Sequence, residues 1–224
     1  MEKIEDPELS RAILSHLAEL YKLKEVRQGI HLSTLIYCLT KGFFDYVAPI
    51  EPTDEEVMLF SLGLGLQDVL TPTQAEAPIY EENGITFSPD FVLKLSEPAR
   101  YVELKTTRMS SSREDLPETW LEYIKGGCYM RRINQYELSV LFMLGNYKPP
   151  FPQIKSFKLV FTQEELEENW TYLLGRLLVY QQALRINRPP APFEYCKDWE
   201  CKNCRYKLQC EALRIMAEPQ LESI

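Results

Sequence analysis

Histidine is nearly absent from this sequence: its 224 residues include only His16 and His31. Catalytic mechanisms that need several histidines are therefore disfavoured. No apolar stretch approaches the roughly 18 residues that a membrane-spanning helix requires. The first residues, Met1 to Asp6, lack the apolar core of a secretory signal. We therefore expect an intracellular, cytoplasmic protein without a membrane partner.

An excess of positive charge is also missing. The chain carries 25 Lys and Arg against 33 Asp and Glu, a formal net charge of −8, which argues against binding nucleic acid through bulk charge alone. A nuclease is not excluded, because carboxylates that bind a divalent metal repel DNA phosphates only when the charge of the metal ion is left out. Apolar residues make up 45% of the chain. This is enough for one substantial domain and too many for a disordered chain.

Capping signals and apolar spacing indicate where helices and strands occur. Helices are predicted from Asp6-Pro7-Glu8 onward, from Ser33, from Thr53 to Leu70, from Leu116 to Ile133 and from Thr162 to Ile186. Strands are predicted at 85–87, 90–95, 101–105, 137–144 and 157–161. Helices around a central run of strands are typical of an α/β protein with a central mixed sheet. The chain divides into a helical region (1–80), a core that contains the strands (81–190) and a cysteine-rich tail (191–224).

One arrangement of carboxylates and a lysine indicates chemistry. Side chains alternate along a strand, so Glu103 and Lys105 share one face while Leu104 points to the other. A short turn before Tyr101 lets the preceding strand pair antiparallel, which brings Asp90 towards Glu103. Two carboxylates there would hold Mg²⁺ or Mn²⁺ through oxygen. Lys105 would then orient an attacking water or stabilise charge on a phosphate.

The same residues also have a purely structural interpretation. Edge strands often carry Glu and Lys as solvated cross-strand pairs, and the spacing of Asp90, Glu103 and Lys105 also arises by chance in many chains. The cysteines are the independent feature that decides between the two interpretations.

Four of the six cysteines lie within fifteen residues near the C-terminus: Cys196, Cys201, Cys204 and Cys210. In a chain without a secretion signal, such a group indicates metal or iron–sulfur ligation rather than disulfides. Four thiolates could hold zinc or a four-iron cluster, and local spacing does not choose between them. Unligated buried cysteines are the remaining alternative.

Pro89-Asp90 followed by Glu103-Leu104-Lys105 and a C-x2-C-x5-C tail resembles the RecB-like PD-(D/E)xK nucleases that carry an iron–sulfur cluster. Within these, the chain is most similar to the CRISPR-associated exonuclease (Cas four) family. The segment from Leu35 to Lys41 resembles the N-terminal segment that supplies one further cysteine in that family. The resemblance implies a restriction-endonuclease-type core with a 4Fe–4S cluster held by Cys38, Cys201, Cys204 and Cys210.

Two cysteines lie outside the ligand set that the resemblance implies. Cys196 is left over, either as a thiol beside the cluster or as a substitute ligand. Cys128 lies in an apolar helix and is expected in the core.

The chain departs from the family at two motifs. Gln67 stands where the family usually has a metal-binding histidine, and its carbonyl oxygen can ligate. The implied ligands of the Mg²⁺ or Mn²⁺ ion are therefore Asp90, Glu103, Leu104 and Gln67. The family's Q-x-x-x-Y helix is degenerate. Tyr129 joins Asp90, Glu103 and Lys105 as a candidate catalytic residue that contacts DNA phosphate, with packing in a half-buried helix as the alternative. His31 does not fit the motif, and we expect it to be structural.

The resemblance implies a metal-dependent DNA exonuclease that prefers single-stranded or frayed ends. DNA is the expected partner, together with proteins of CRISPR adaptation or of viral replication and recombination. Basic residues available for phosphate contacts are Arg131, Arg132, Lys197, Lys202, Arg205 and Lys207. Tyr195, Trp199 and Tyr206 would stack on unpaired bases or pack around the cluster. A DNA-binding adaptor with a decayed nuclease site and a zinc-binding interaction module are the alternatives.

Overall fold

A computed structural model describes residues 7–22, 29–71, 77–93, 100–109, 115–143 and 153–217. The helices in these ranges are α1 (Pro7–Lys22), α2 (Leu32–Ile36), α3 (Leu39–Val47), α4 (Asp54–Leu70), α5 (Glu118–Arg131), α6 (Gln163–Ile186), α7 (Asp198–Cys201) and α8 (Lys207–Ala217). The strands are β1 (Ile30–His31), β2 (Tyr80–Glu82), β3 (Ile85–Phe87), β4 (Phe91–Leu93), β5 (Arg100–Thr107), β6 (Gln135–Phe142) and β7 (Gln153–Val160). None of the helices in these ranges combines the length and apolar character needed to cross a bilayer.

Reciprocal side-chain bonds start two of the predicted helices. The Thr53 hydroxyl accepts from the Glu56 N–H at 3.2 Å, and the Glu56 carboxylate accepts from the Thr53 N–H at 3.0 Å. Thr162 and Glu165 make the same pair of bonds at 3.2 and 2.8 Å. Such capping boxes satisfy N–H groups that have no partner within the helix. The predicted starts of α4 and α6 are therefore confirmed.

The single helix predicted from Ser33 is wrong, because the chain forms α2 and α3 with a break at Tyr37 and Cys38. The backbone of Tyr37 is extended, with φ −89° and ψ −175°. Its carbonyl accepts a hydrogen bond of 2.7 Å from Arg176 of α6 instead of one from the helix. Cys38 then caps α3, and its Sγ accepts from the Lys41 N–H at 3.4 Å. The break places Cys38 at a helix terminus.

The strands form two mixed sheets. The larger sheet has the order β4-β5-β6-β7; β5 and β6 are parallel, and β4 and β7 are antiparallel to their neighbours. The smaller sheet has the order β1-β3-β2, in which β1 is parallel and β2 antiparallel to β3. The α/β prediction is confirmed. The predicted strand at 85–87 belongs to the smaller sheet, so the strands do not form one central sheet.

The core is formed by the sheets and by helices α2, α3, α5 and α6. Gly126 lets α5 approach α2 closely, since a Cβ there would lie 2.8 Å from Leu32 Cδ2. Cys128 is completely buried in this core, as predicted, and burial raises the pKa of its thiol to about 12.

His31 caps α2 through its Nδ1, which accepts from the Ser33 N–H at 3.3 Å. The structural interpretation of His31 is therefore confirmed.

Candidate active site

The predicted Glu–Lys pair lies on β5, an interior strand of the larger sheet. The Lys105 Nζ atom lies 2.5 Å from Glu103 Oε1, so the two side chains do share one face. The Glu103 side chain is only 2% exposed, and that of Lys105 is 24% exposed. An ion pair with a buried carboxylate on an interior strand does not fit the interpretation as a solvated pair on an edge strand.

Asp90 lies immediately before β4, which pairs antiparallel with β5 as predicted. Phe91 is opposite Val102 in this pairing. The Asp90 carboxylate therefore reaches the next part of β5, and its Oδ2 accepts from the Leu104 N–H at 2.7 Å. A hydrogen bond to an ionised carboxylate is strong enough to fix its orientation. The turn predicted at 96–100 lies outside the described residues except for Arg100, which begins β5.

Helix α4 brings a polar side chain to the same place. Gln67 Nε2 donates to Asp90 Oδ1 at 3.2 Å, so the residue that stands in the position of the family histidine reaches the predicted metal ligand. Leu104 has an apolar side chain and can offer only its main-chain carbonyl. Hydrogen bonds thus join Gln67, Asp90 and the main chain of Leu104, and Glu103 and Lys105 pair with each other on either side of Leu104.

Lys105 is held in its charged form. Burial by itself lowers the pKa of Lys105, but the negative charges of Glu103 and Asp90 outweigh it and raise that pKa above its usual value. The ammonium also lies 5.1 Å from the centre of the Tyr123 ring, at cation–π distance. The Tyr123 hydroxyl in turn donates to the Ser88 carbonyl at 3.3 Å. At neutral pH, Lys105 is therefore a positioned positive charge and not a proton acceptor.

Tyr129, the remaining candidate catalytic residue, packs between α5 and α6. Its ring stacks on Trp170, with centroids 4.6 Å apart and 12° between the planes. The Arg132 guanidinium lies 4.9 Å from the centre of the same ring. Tyr123, six residues earlier in α5, is the tyrosine that contacts Lys105. This packing gives Tyr129 a structural role, and its part in catalysis stays a prediction.

Five cysteines line one pocket of about 370 Å³, counting its open mouth: Cys38, Cys196, Cys201, Cys204 and Cys210. The Sγ atoms of Cys196 and Cys201 are 3.4 Å apart. Within the described ranges, no three His, Cys, Asp or Glu side chains are grouped so that they could hold one metal ion.

Two charged side chains tie Cys38 to the distant tail. The Glu200 carboxylate accepts from the N–H groups of Cys38 and Lys197, both at 2.8 Å. Arg176 is 8% exposed and donates to three carbonyls, those of Leu35, Tyr37 and Tyr195. Sequence reasoning missed both residues. Arg176 carries a detectable signal, because it falls within the apolar stripe of α6 at helical spacing.

Burial raises the pKa of four thiols in this pocket: Cys38, Cys196, Cys204 and Cys210, the last to about 12. The nearness of the cysteines to one another raises these pKa values further. The thiolate forms are therefore disfavoured until a positive charge lies among them.

Three of the seven tail residues expected to contact DNA are engaged within the protein. Tyr206 is 1% exposed and stacks on Phe44 with centroids 5.2 Å apart, so of its two predicted roles it has the packing role and not that of stacking on bases. Arg205 pairs with Asp45 and Glu56. Lys197 pairs with Glu118 and Glu122. In contrast, Trp199 is 58% exposed.

The fold and the site define a mixed α/β protein with a carboxylate–lysine centre on an interior strand. No protein-family model matches the sequence, and no curated protein matches it.

Solved structures do match the chain. SSO0001 aligns over 91% of this chain and 96% of its own, with a TM-score of 0.54 and 13% identity, which shows a shared fold. A phage-related exonuclease from Haemophilus somnus 129PT matches with a TM-score of 0.42 and 10% identity, over 75% of this chain and 99% of its own. An alkaline exonuclease from Laribacter hongkongensis matches with a TM-score of 0.39 and 10% identity, over 71% of this chain and 91% of its own.

Proposed function

We propose that this protein is a metal-dependent deoxyribonuclease that acts as an exonuclease on single-stranded or frayed DNA ends. The observation that carries the proposal is the buried Glu103 carboxylate paired with Lys105, with Asp90 bound to the neighbouring Leu104 N–H. Removing a carboxylate from water costs several kcal/mol in real proteins, by rough estimate. Ionisable groups gathered at such a cost are more common where chemistry needs them.

Asp90, Glu103 and Gln67 would hold a Mg²⁺ or Mn²⁺ ion, with the main-chain carbonyl of Leu104 as a further ligand. Magnesium in phosphate-processing sites is commonly bound by one or two carboxylates together with the substrate, so two carboxylates fit. The Gln67 side chain already contacts Asp90 at 3.2 Å, and its amide oxygen is a suitable donor for a hard cation. Bound there, the ion would polarise a phosphoryl oxygen and lower the pKa of an attacking water.

The residues of the chain supply a preorganised electrostatic environment. Lys105 donates to a phosphate oxygen and stabilises the charge that develops on it. Its ion pair with Glu103 keeps the ammonium in place before the substrate arrives. The Leu104 N–H holds one oxygen of Asp90 at 2.7 Å, which orients the carboxylate. Because β5 is an interior strand, these groups need little reorganisation during the reaction.

Cleavage is expected only in the presence of a divalent cation. Purified protein should shorten end-labelled single-stranded DNA and frayed ends in Mg²⁺ or Mn²⁺, and it should leave every substrate intact in chelator. Binding of DNA without cleavage in any cation would instead favour the adaptor with a decayed nuclease site. Undiminished cleavage in chelator would exclude a metal-dependent reaction.

We also propose that the protein is a RecB-like nuclease of the Cas four type. Two separate features support this: the carboxylate–lysine centre, and a pocket that joins Cys38 to the tail cysteines. The Glu200 carboxylate that binds the Cys38 N–H lies 162 residues further along the chain. A zinc site formed by the tail cysteines alone would not require Cys38 as a neighbour. Partners in CRISPR adaptation or in viral replication and recombination belong to the same proposal.

Cys38, Cys201, Cys204 and Cys210 would hold a 4Fe–4S cluster. A single tetrahedral zinc ion would draw its four sulfurs to about 3.8 Å from one another. A four-iron cluster also takes four thiolates, and these four cysteines line one pocket. The cluster would tie α3 to the tail. Cys196, whose Sγ lies 3.4 Å from that of Cys201, is the substitute ligand or the fifth thiol.

Anaerobically purified protein is expected to be brown and to contain about four iron and four sulfide per chain. Cys38→Ala should bleach the protein and lower its melting temperature, because it removes the ligand that closes the longest loop. Cys128→Ala is the matched control and should keep the colour, since Cys128 is buried in the core away from the pocket. One zinc per chain, no sulfide and an unaffected Cys38→Ala variant would instead assign a local zinc site that includes Cys196.

A further inference from the structure

We propose that Cys196 forms a disulfide with Cys201 when the cysteine pocket is empty and a small disulfide compound is present as oxidant. The Cys201 sulfur is then unavailable to a metal centre until a thiol reduces the bond. This inference rests on the function proposed for the pocket, and it gives a role to Cys196, which the proposed ligand set leaves over. The redox state of this cysteine pair would thus control whether the pocket can be loaded.

The two thiols are already neighbours. Their Sγ atoms lie 3.4 Å apart, and a disulfide bond is about 2.05 Å long. The sulfurs must therefore approach each other by about 1.4 Å, a movement on the scale of a side-chain rotation. Cys196 and Cys201 are both partly exposed, so a small oxidant can reach them. Cys38 and Cys210, in contrast, are buried, each with 8% exposure.

The chain between the two cysteines is held in a closed loop. The Glu200 carboxylate accepts from the Lys197 N–H at 2.8 Å, and the Glu200 N–H donates to the Lys197 carbonyl at 2.9 Å. These reciprocal bonds join the residue that follows Cys196 to the residue that precedes Cys201. Because the loop is short and already closed, little further entropy is lost when its ends are linked.

The reaction balances with a small disulfide such as oxidised glutathione. The Cys201 thiolate attacks one sulfur of the oxidant, which forms a mixed disulfide and releases one glutathione thiolate. The Cys196 thiolate then attacks the Cys201 sulfur, which forms the protein disulfide and releases the second glutathione thiolate. Two protein thiols are oxidised and one small disulfide is reduced. The two protons of the protein thiols go to the released thiolates.

Thiol counting and peptide mapping test the pairing on the full protein, reduced and free of metal. Oxidised glutathione is added in mildly alkaline buffer, because burial raises the pKa of the Cys196 thiol and only a thiolate attacks. We expect the thiols counted after unfolding to fall from six to four per chain. Trypsin cuts after Lys197, Lys202 and Arg205, which places the tail cysteines on separate peptides. The peptides of Cys196 and Cys201 should remain joined until they are reduced.

Cys196→Ser distinguishes this pairing from unspecific oxidation. The mixed disulfide on Cys201 then has no second thiol to displace it, so one glutathione should stay on that peptide. Cys128→Ala is the matched control and should form the same pair as the parent, because Cys128 is buried in the core. With iron and sulfide supplied, the oxidised parent should take up no cluster, and after reduction by dithiothreitol it should take up about four iron.

The possible outcomes separate this inference from the proposed cluster. Six free thiols after excess oxidant, or a disulfide between other cysteines, would overturn the pairing even if the reduced protein binds a cluster. Reduced Cys196→Ser should bind as much iron as the reduced parent. A lower iron content would also overturn the inference, because Cys196 would then be a ligand. A Cys196–Cys201 disulfide in a protein that never takes up iron would support the pairing while the cluster proposal fails.

Discussion

Lys105→Ala is expected to lower the rate of metal-dependent DNA cleavage by a factor on the order of 10²–10³, the usual effect of removing one preorganised electrostatic group. The Lys105 ammonium lies 2.5 Å from Glu103 Oε1 and is the positive charge that the site offers to the phosphate. Asp90→Ala and Glu103→Ala should be at least as inactive, because each removes a proposed metal ligand. End-labelled single-stranded DNA in Mg²⁺ or Mn²⁺ is the appropriate substrate for all three variants.

The control for these variants comes from the same strand. Arg100→Ala removes a half-exposed side chain that pairs with Glu137 and should cleave like the parent. Asp90→Asn separates chemistry from folding, because the amide oxygen still accepts from the Leu104 N–H while the charge is lost. Gln67→His should keep or raise the activity, and Gln67→Ala should lower it. Parental activity in the Asp90, Glu103 and Lys105 variants would place the active centre elsewhere.

Arg176→Met is expected to lower the free energy of unfolding by about 3–5 kcal/mol, because it leaves three carbonyls without their donor. For a chain of this size, that loss corresponds to a fall in melting temperature of roughly 6–20 °C. The carbonyls belong to Leu35, Tyr37 and Tyr195, which flank Cys38 and Cys196. The variant should therefore also lose metal from the cysteine pocket. Thermal unfolding followed by circular dichroism, together with metal analysis, measures both effects.

Arg185→Met is the matched control for this prediction. It makes the same substitution in α6 at a residue that lies on the surface and bonds only to Gln182 among the contacts described. Its melting temperature should stay close to that of the parent, since surface substitutions usually change stability by less than about 0.5 kcal/mol. Equal stability of the two variants would show that Arg176 does not hold the cysteine pocket together.

The sequence predicts best the features that depend on neighbouring residues. The capping boxes of Thr53 and Thr162 are formed within four residues, so composition and spacing suffice to place the starts of α4 and α6. Alternation along a strand placed Glu103 and Lys105 on one face. A short connection between strands placed Asp90 beside them. The central residues of the proposed active site could therefore be predicted from the sequence.

The tertiary structure decided the features that depend on residues far apart in the chain. Residues near Tyr37 in sequence do not explain the break between α2 and α3, because the donor that binds the Tyr37 carbonyl is Arg176 of α6. Tyr206 and Trp199 look alike in sequence, as aromatic residues among basic ones. The first is buried against Phe44 and the second is exposed.

The physical reason for this division is the range of the interactions. Caps and strand alternation follow from backbone geometry, which every short segment carries with it. Burial of an aromatic ring, the partner of a buried guanidinium and the meeting of Cys38 with the tail depend on which surfaces pack together. That packing is a property of the whole chain, and it determines which side chains are left for a ligand.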